Sequence, residues 1–254
     1  MKSPILITVF LFSSALFAQA YSPEPCPDGT QPNLRALIIS PDTFSISGAK
    51  EDRDREIFPM VAQSSASSVL LPSGNPPDQA DCLINDDYEG LIIKQDTNCE
   101  QRVFNHDLWS CTYSPAKAWD GNLSTAWVEG VPGPGIGQVI IVDINPFVDI
   151  KIRSGIAASQ TLFEQNNRPR KVRFYLLGVQ FPIFTQSRLG LGGIKTLASF
   201  THELPDRNQW YAVQPQWDAY RDDSEYSRYL LAVEILSVYP GTKYDDTGIS
   251  EIAN

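Results

Sequence analysis

The sequence predicts an all-β protein, folded as a β-sandwich of short strands with an irregular N-terminal extension. Val, Ile, Tyr and Thr are frequent, and 19 prolines and 16 glycines interrupt the chain, which is typical of strands joined by turns. From residue 137 onward, short apolar or alternating segments follow one another without a strand–helix–strand rhythm. These observations favour two packed sheets over a parallel sheet flanked by helices.

Five segments carry the strand prediction. Residues 139–144 form a nearly continuous apolar run, which suits a central strand. In residues 171–177, the apolar side chains of Val172, Phe174 and Leu176 alternate with other residues and therefore share one face. The remaining predicted strands are residues 150–153, 210–213 and 229–239.

The N-terminus has the three parts of an export signal. Lys2 supplies a positive charge, residues 5–17 form a short apolar run, and Ala18-Gln19-Ala20 is a small-residue cleavage site. This run is too short to span a bilayer comfortably, and no other segment reaches about 18 consecutive apolar residues. We therefore predict a signal peptide at residues 1–20, no membrane span, and a secreted or periplasmic chain that starts at Tyr21.

The charge balance is acidic. The chain has 30 Asp and Glu against 20 Lys and Arg, a net charge of −10, and removal of Lys2 with the signal peptide makes it −11. An acidic surface repels phosphate backbones and anionic lipids, so neither nucleic acid nor an anionic membrane is a predicted partner.

The cysteines predict disulfides. Four are present, Cys26, Cys82, Cys99 and Cys111, and an even number in an exported chain indicates two bridges. Three pairings are possible and the sequence does not choose among them. Zinc binding is the alternative, but no Cys-x-x-Cys pair occurs, and the only histidines are His106 and His202.

The chain divides into two predicted parts after residue 20, and the second part contains an insertion. Residues 21–58 form the N-terminal extension, with a short strand at residues 34–39. Residues 59–254 form the sandwich domain. An insertion at about residues 72–110 contains a strand at residues 91–93, and a disulfide would restrain so long a connection.

Three sequence blocks occur in the order typical of one known domain. They are Tyr113-Ser114-Pro115 with Asp120-Gly121-Asn122 and Thr125-Ala126-Trp127-Val128-Glu129-Gly130, then Asn166-Asn167-Arg168-Pro169, then Val238-Tyr239 with Gly241-Thr242-Lys243-Tyr244, Asp246-Thr247 and Ile249-Ser250-Glu251-Ile252. Together they resemble the discoidin-like domain (F5/8 type C, galactose-binding-like) of the bacterial NAD glycohydrolase translocation or glycan-binding type. The resemblance covers roughly residues 59–254. It departs at Gly248, where a cysteine is expected, and at Ile156, where an aromatic residue often stands.

The resemblance implies a discoidin-like jelly-roll β-sandwich and a non-catalytic binding module. Such a module recognises a glycan or cell-envelope ligand through loops at one end of the sandwich. NAD hydrolysis is not implied, because residues 21–60 are too few to build a hydrolase domain. A protein-interaction or scaffold domain of a secreted complex is the alternative, and a cryptic hydrolase is a third hypothesis.

The resemblance also implies a structural Ca²⁺ beneath the Asp-Gly turn. Calcium prefers carboxylate, hydroxyl and carbonyl oxygens. The predicted ligands are Asp120, Asn122, Thr125 and Glu251, with the carbonyls of Lys117, Asn122 and Ile252 completing the shell. In the alternative, Asp120 and Asn122 only form an Asx turn, and Glu251 lies on the surface.

Sugar binding needs an aromatic platform and a few directional polar groups. The predicted ligand-binding residues are the platforms Trp119, Trp217 and Tyr220 and the hydrogen-bonding residues Arg153, Asn167 and Arg168. For Trp119 a core position is equally open, and Arg168 has the alternative of bracing the Pro169 turn. Trp127 is predicted to lie in the core.

Known catalytic motifs are missing from the sequence. It contains neither His-Glu-x-x-His nor Gly-x-Ser-x-Gly, and no Gly-Lys-Ser/Thr follows the glycines near residue 135. His202-Glu203 is an isolated pair. The prediction is therefore a binding module and not an enzyme.

Overall fold

The computed structural model describes residues 30–50, 64–86, 90–184, 188–217 and 225–254. Its strands are β1 (Phe44–Lys50), β2 (Ser64–Ala66), β3 (Leu83–Asp86), β4 (Gly90–Ile93), β5 (Trp127–Val128), β6 (Val139–Val142), β7 (Ile150–Ser154), β8 (Arg168–Val179), β9 (Phe181–Phe184), β10 (Arg188–Glu203), β11 (Tyr211–Val213), β12 (Arg228–Tyr239) and β13 (Gly248–Ala253). Its helices are α1 (Leu34–Ile39), α2 (Thr97–Ser110) and α3 (Gln160–Gln165), with 3-10 turns at Ala80–Cys82 and Pro115–Ala118.

Two antiparallel sheets form the sandwich, so the predicted fold class is confirmed. The larger sheet has the order β1-β10-β8-β12-β6-β2, with β9 also paired to β10, and the smaller has the order β11-β7-β13-β5. The predicted alternation in β8 is also confirmed. Val172, Phe174 and Leu176 are fully buried in the core between the sheets, together with Ile152 and Trp127.

The outer face of the larger sheet carries a second apolar core. Residues 34–39 were predicted as a strand, and this prediction is wrong, because they form α1. Leu34 and Ile38 lie four residues apart on one helical face, and both are buried against Tyr175, Leu177 and other residues of the outer face. The gain from packing this face exceeds the strand preference of the Ile residues.

A buried carboxylate joins α1 to the sheet. Glu234 on β12 is fully buried, and its Oε1 accepts a hydrogen bond from Arg35 Nε at 2.6 Å. The hydroxyl of Tyr175 donates to Oε2 at 2.5 Å, and Arg173 Nη1 lies 3.7 Å from the same oxygen. Hydrogen bonding and charge from Glu234 raise the pKa of Arg35, so the guanidinium stays ionised.

Arg35→Ala is expected to destabilise the protein by about 2 kcal/mol, because it removes a charge-assisted hydrogen bond to a buried carboxylate. Chemical denaturation measures the change in the free energy of unfolding. Arg102→Ala is the control, because the ion pairs that Arg102 makes with described residues are to the exposed carboxylates of Asp78 and Asp81, and their loss should cost less. Equal costs for the two variants would contradict a special role for the Glu234 contact.

The insertion forms a small unit of its own. The hairpin β3–β4 packs with α2, and a disulfide joins Cys82 to Cys99, whose Cα atoms are 5.0 Å apart. The predicted strand at residues 91–93 is confirmed as β4. Cys111 is also disulfide-bonded, whereas Cys26 lies outside the described residues. Disulfide bonding of these cysteines excludes the zinc alternative for them.

Helix α2 begins with a side-chain cap. Asp96 precedes it, and its Oδ1 accepts a hydrogen bond from Asn98 N at 2.8 Å. Within the described part of the chain, neither α2 nor any other helix is long and apolar enough to cross a membrane.

Candidate metal site and ligand cleft

The Asp-Gly turn after the second 3-10 turn gathers oxygen atoms. Asp120 Oδ1 accepts a hydrogen bond from Asn122 N at 2.9 Å, which makes the Asx turn, and Gly121 adopts a φ of +72°. The Thr125 hydroxyl lies 2.9 Å from both carboxylate oxygens of Asp120 and 2.7 Å from Asn122 O. It also lies 3.4 Å from Lys117 O. Oxygens of three other residues, Asp120, Asn122 and Lys117, therefore converge around this hydroxyl.

Glu251 reaches the same turn from β13. Its side chain is buried, and its Oε2 has no hydrogen-bond partner within the described part of the chain. Burial raises the pKa of Glu251, the negative charge of Asp120 raises it further, and the N–H groups of Gly121 and Asn122 partly oppose the rise. The last strand thus folds back onto the mid-chain turn, and the alternative of a surface Glu251 is excluded.

This donor set fits calcium. It contains two carboxylates, a hydroxyl and main-chain carbonyls, which are all hard oxygen donors, and one buried carboxylate oxygen lacks a partner. The side-chain oxygen of Asn122 accepts a hydrogen bond from Ser124 N at 3.0 Å. The oxygen of Asn122 that is left to coordinate a metal ion is therefore its main-chain carbonyl. Among the described residues, no group of three or more His, Cys, Asp or Glu side chains is arranged so that it could hold a metal ion. Carbonyl and hydroxyl oxygens would have to complete the shell.

The predicted ligand-binding residues do not lie together. Two of the aromatic residues are near the end of the sandwich where β6 ends and β12 begins. Trp119 packs against the core and lines a depression of about 680 Å³ with Phe147 and Tyr229. Trp217 is buried, and its Nε1 donates to Pro146 O at 2.7 Å, so it lies in the core. Tyr220 lies outside the described residues.

Two predicted polar residues lie at the opposite end and bond to the protein itself. The guanidinium of Arg168 donates to both carboxylate oxygens of Asp206, at 3.0 and 2.8 Å, and to the carbonyls of Asn166 and Pro240. This is the bracing arrangement that the sequence left open.

Asn167 is buried as well. Its Nδ2 donates to Asp245 O and Oδ1, and its Oδ1 accepts from Gly241 N. These bonds fix the loop that precedes β13.

Arg153 differs from Arg168 and Asn167. It lies opposite Glu251 in the β7–β13 pair, and burial lowers its pKa. Its buried Nε has no hydrogen-bond partner among the residues that the structure describes.

A cleft of about 640 Å³ occupies the end of the sandwich where β7 ends and β13 begins. Three of its lining residues are exposed large side chains, namely Leu71, Leu162 and Tyr244. Asn166 and Asp246 add an amide and a carboxylate. The cleft combines apolar walls with a few polar groups, which is the usual composition of a ligand site.

The sequence reasoning missed the lining of this cleft, because it comes from loops far apart in the chain. Tyr244 and Asp246 belong to the last block of the resemblance, and this is the signal in the sequence that could have pointed to the cleft. Ile156, one of the two departures from the domain pattern, also lines the cleft. It contacts the other departure, since a Cβ at Gly248 would lie 2.9 Å from Ile156 Cγ1.

The sandwich, the oxygen-rich turn and the loop-end cleft define a β-sandwich binding module. Comparison with known families is consistent with this, because residues 88–254 match the model of the NAD glycohydrolase translocation F5/8 type C domain. The chain belongs to this family, and the resemblance read from the sequence is confirmed.

Comparison with solved structures finds parts of larger proteins. One is the arabinofuranosyltransferase AftD from Mycobacteria, with 14% identity, a TM-score of 0.31, and coverage of 56% of this chain and 9% of that chain. Another is a Ruminococcus gnavus GH29 fucosidase in complex with fucose, with 15% identity, a TM-score of 0.24, and coverage of 56% of this chain and 22% of that chain. No curated protein matches the chain. The chain spans less than a quarter of these solved chains, so their activities are not transferred.

Proposed function

We propose that the protein is an exported, non-catalytic module that binds a glycan or another cell-envelope ligand through the cleft at one end of its sandwich. A discoidin-like domain of this family is a carbohydrate- or protein-binding type of domain. The observation that carries the choice of glycan is the cleft itself, where exposed Leu71, Leu162 and Tyr244 stand beside Asn166 and Asp246.

The cleft has the two features that sugar recognition needs. A pyranose has an apolar ring face, which packs on an aromatic or aliphatic side chain, and hydroxyl groups, which need directional partners. The Tyr244 ring is 42% exposed, and Lys243 Nζ lies 4.7 Å from its centroid, so this cation restrains the ring. Asn166 Nδ2 donates to Leu162 O at 2.8 Å, which fixes the amide group at the edge of the cleft.

Calcium is proposed as a structural ion of this module. Asp120, Thr125 and Glu251 would hold it, with the carbonyls of Lys117 and Asn122. The bound ion would neutralise the two facing carboxylates. The turn would then be fixed to β13, and Ser124, Thr125 and Ala126, which line the cleft, would be fixed with it.

Export and the absence of catalysis complete the proposal. Residues 1–20, which lie outside the described residues, have the pattern of a signal peptide. The disulfide between Cys82 and Cys99 is compatible with an oxidising compartment. The non-catalytic role rests on the family's domain type and on the missing motifs.

Tyr244→Ala is expected to weaken glycan binding about tenfold or more, because it removes the exposed ring from the cleft. Binding is measured on an array of printed oligosaccharides and by calorimetry with the strongest hit. Phe104→Ala is the matched control, since Phe104 is 55% exposed on α2 and does not line the cleft.

If Phe104→Ala reduces glycan binding and Tyr244→Ala does not, the ligand binds outside the cleft. Retention of a protein partner with no glycan bound would favour a protein-interaction domain instead.

A further inference from the structure

The charged lining of the cleft is negative. Among the described residues that line it, Asp246 is the only one with a charge at neutral pH, and no Lys, Arg or His side chain is present. Asp245 is the next residue, and the chain as a whole has a net charge of −10. The lining itself therefore contributes negative charge, while Lys243, outside the lining, holds its Nζ 4.7 Å from the centroid of the Tyr244 ring.

The two aspartates of this loop are used differently. Asp245 Oδ1 accepts a hydrogen bond from Asn167 Nδ2 at 2.9 Å, and the main-chain carbonyl of Asp246 accepts one from Asn167 N at 2.9 Å. These contacts fix the loop. The Asp246 carboxylate itself receives no hydrogen bond from another side chain among the described residues.

Asp246 is also partly removed from water. Burial raises the pKa of Asp246, and the neighbouring charge of Asp245 raises it further. A half-buried carboxylate without a cationic partner is best stabilised by hydroxyl or ammonium donors. A ligand that supplied two hydroxyl groups would satisfy it, whereas a second anion would meet repulsion.

The apolar walls restrict the ligand further. Leu71 and Leu162 are 46% and 37% exposed, and both line the cleft with Tyr244. These side chains offer an apolar surface on which the apolar face of a sugar ring can pack. A highly charged ligand without an apolar face would bury little of this surface.

We propose that the cleft selects uncharged saccharides, with hydroxyl groups donated to Asp246 and a ring face packed on Tyr244, and excludes saccharides that carry carboxylate, sulfate or phosphate groups. This inference rests on the proposed function of the cleft as a glycan site. It adds the class of glycan, which neither the family match nor the sequence motifs specify.

The test compares neutral oligosaccharides with their sulfated and uronate counterparts on the same array, at low and physiological ionic strength. The native protein is expected to bind the neutral member of a pair at least about tenfold more strongly, and this ratio should shrink as salt screens the repulsion. Dextran, dextran sulfate and carboxymethyl dextran serve as matched soluble probes.

Asp246→Asn separates charge selection from a structural effect. It is expected to weaken binding of the neutral glycan about fivefold to tenfold and to reduce the preference for it by a similar factor. A merely structural role would weaken neutral and anionic probes equally. Asp149→Asn is the control, because Asp149 is an exposed carboxylate at the opposite end of the sandwich. The melting temperature of each variant verifies folding.

The outcomes are distinct. Equal or stronger binding of the anionic member by the native protein overturns the charge selection and leaves the glycan site standing. An unchanged preference in Asp246→Asn also overturns it. If no glycan binds in a manner that depends on Tyr244, the proposed function fails and the selection fails with it.

Discussion

Replacing Glu129 with glutamine is expected to remove much of the fall in stability that the native protein undergoes between about pH 5 and pH 8. The free energy of unfolding of the variant, relative to the native protein, should rise by about 3 kcal/mol across this interval.

The reason is the position of the Glu129 carboxyl group. The side chain is fully buried between the loop after β5 and the start of β13. Its Oε2 accepts from Val131 N at 2.9 Å, and its Oε1 accepts from Thr247 N at 3.2 Å. Gly135 lies directly against the Glu129 side chain, because a Cβ atom at position 135 would lie 2.4 Å from Glu129 Cγ.

Loss of water dominates the ionisation of this group. Burial raises the pKa of Glu129 to about 7; the two backbone N–H bonds oppose the rise, and the charges of Asp246 and Asp245 add to it. An unfolded chain releases this proton near its ordinary pKa of 4.5. Between the two values the folded protein holds the proton and the unfolded chain does not, so stability falls as pH rises. Above the higher value the penalty is constant.

The measurement is urea unfolding at several pH values for the native protein and the variant. Glu100→Gln is the control, because Glu100 is exposed in the first turn of α2 and should leave the slope unchanged. The glutamine amide presents a donor where the carboxylate accepts two N–H bonds, so the absolute stability at one pH is less informative than the slope. A variant with the native slope would show that Glu129 is ionised in the folded protein throughout.

Alternation and apolar runs were sufficient to predict the central strands. β6 is visible as a continuous apolar run, and all four of its residues are buried. β8 and β12 have 12 residues each, which is long enough for alternate apolar side chains to be visible. β10 escaped prediction, because Gly190, Gly192 and Gly193 interrupt its pattern and resemble loop residues. Its partners β1, β8 and β9 define it as a strand.

The helices were harder to predict, because their apolar faces are narrow. In α2, only Cys99 and Val103 among its apolar residues are buried, and Phe104 and Leu108 stay exposed. The short apolar stripe faces a hairpin that the sequence barely indicated, so no strong helical period develops.

The candidate site was predictable in one part only. The resemblance grouped Asp120, Thr125 and Glu251 around one Asp-Gly turn, and they do lie together. Whether they hold an ion stays a prediction. The predicted ligand residues failed to cluster, because Trp217 and Arg168 are residue types that serve equally well in a core or a brace. Exposure distinguishes these uses, and a single sequence does not reveal it.

Chelation of calcium is expected to lower the melting temperature by about 5 to 10 °C, with recovery on adding Ca²⁺ in excess. Without a cation, the buried Glu251 carboxylate faces Asp120, and Lys117 pairs with the Asp120 end of the turn, with its Nζ 3.8 Å from Asp120 Oδ2. A divalent ion would remove this repulsion in the folded state alone, which is the condition for stabilisation by binding.

Asp120→Asn and Glu251→Gln are each expected to abolish the calcium response, while Asp149→Asn keeps it. Because burial and Asp120 raise the pKa of Glu251, protons compete with the ion, and calcium binding should weaken as the pH is lowered. Calorimetry in two buffers of different ionisation enthalpy measures the protons released. A response that persists in both variants would place the ion elsewhere. If the native protein melts identically in chelator and in calcium, no calcium ion stabilises this turn.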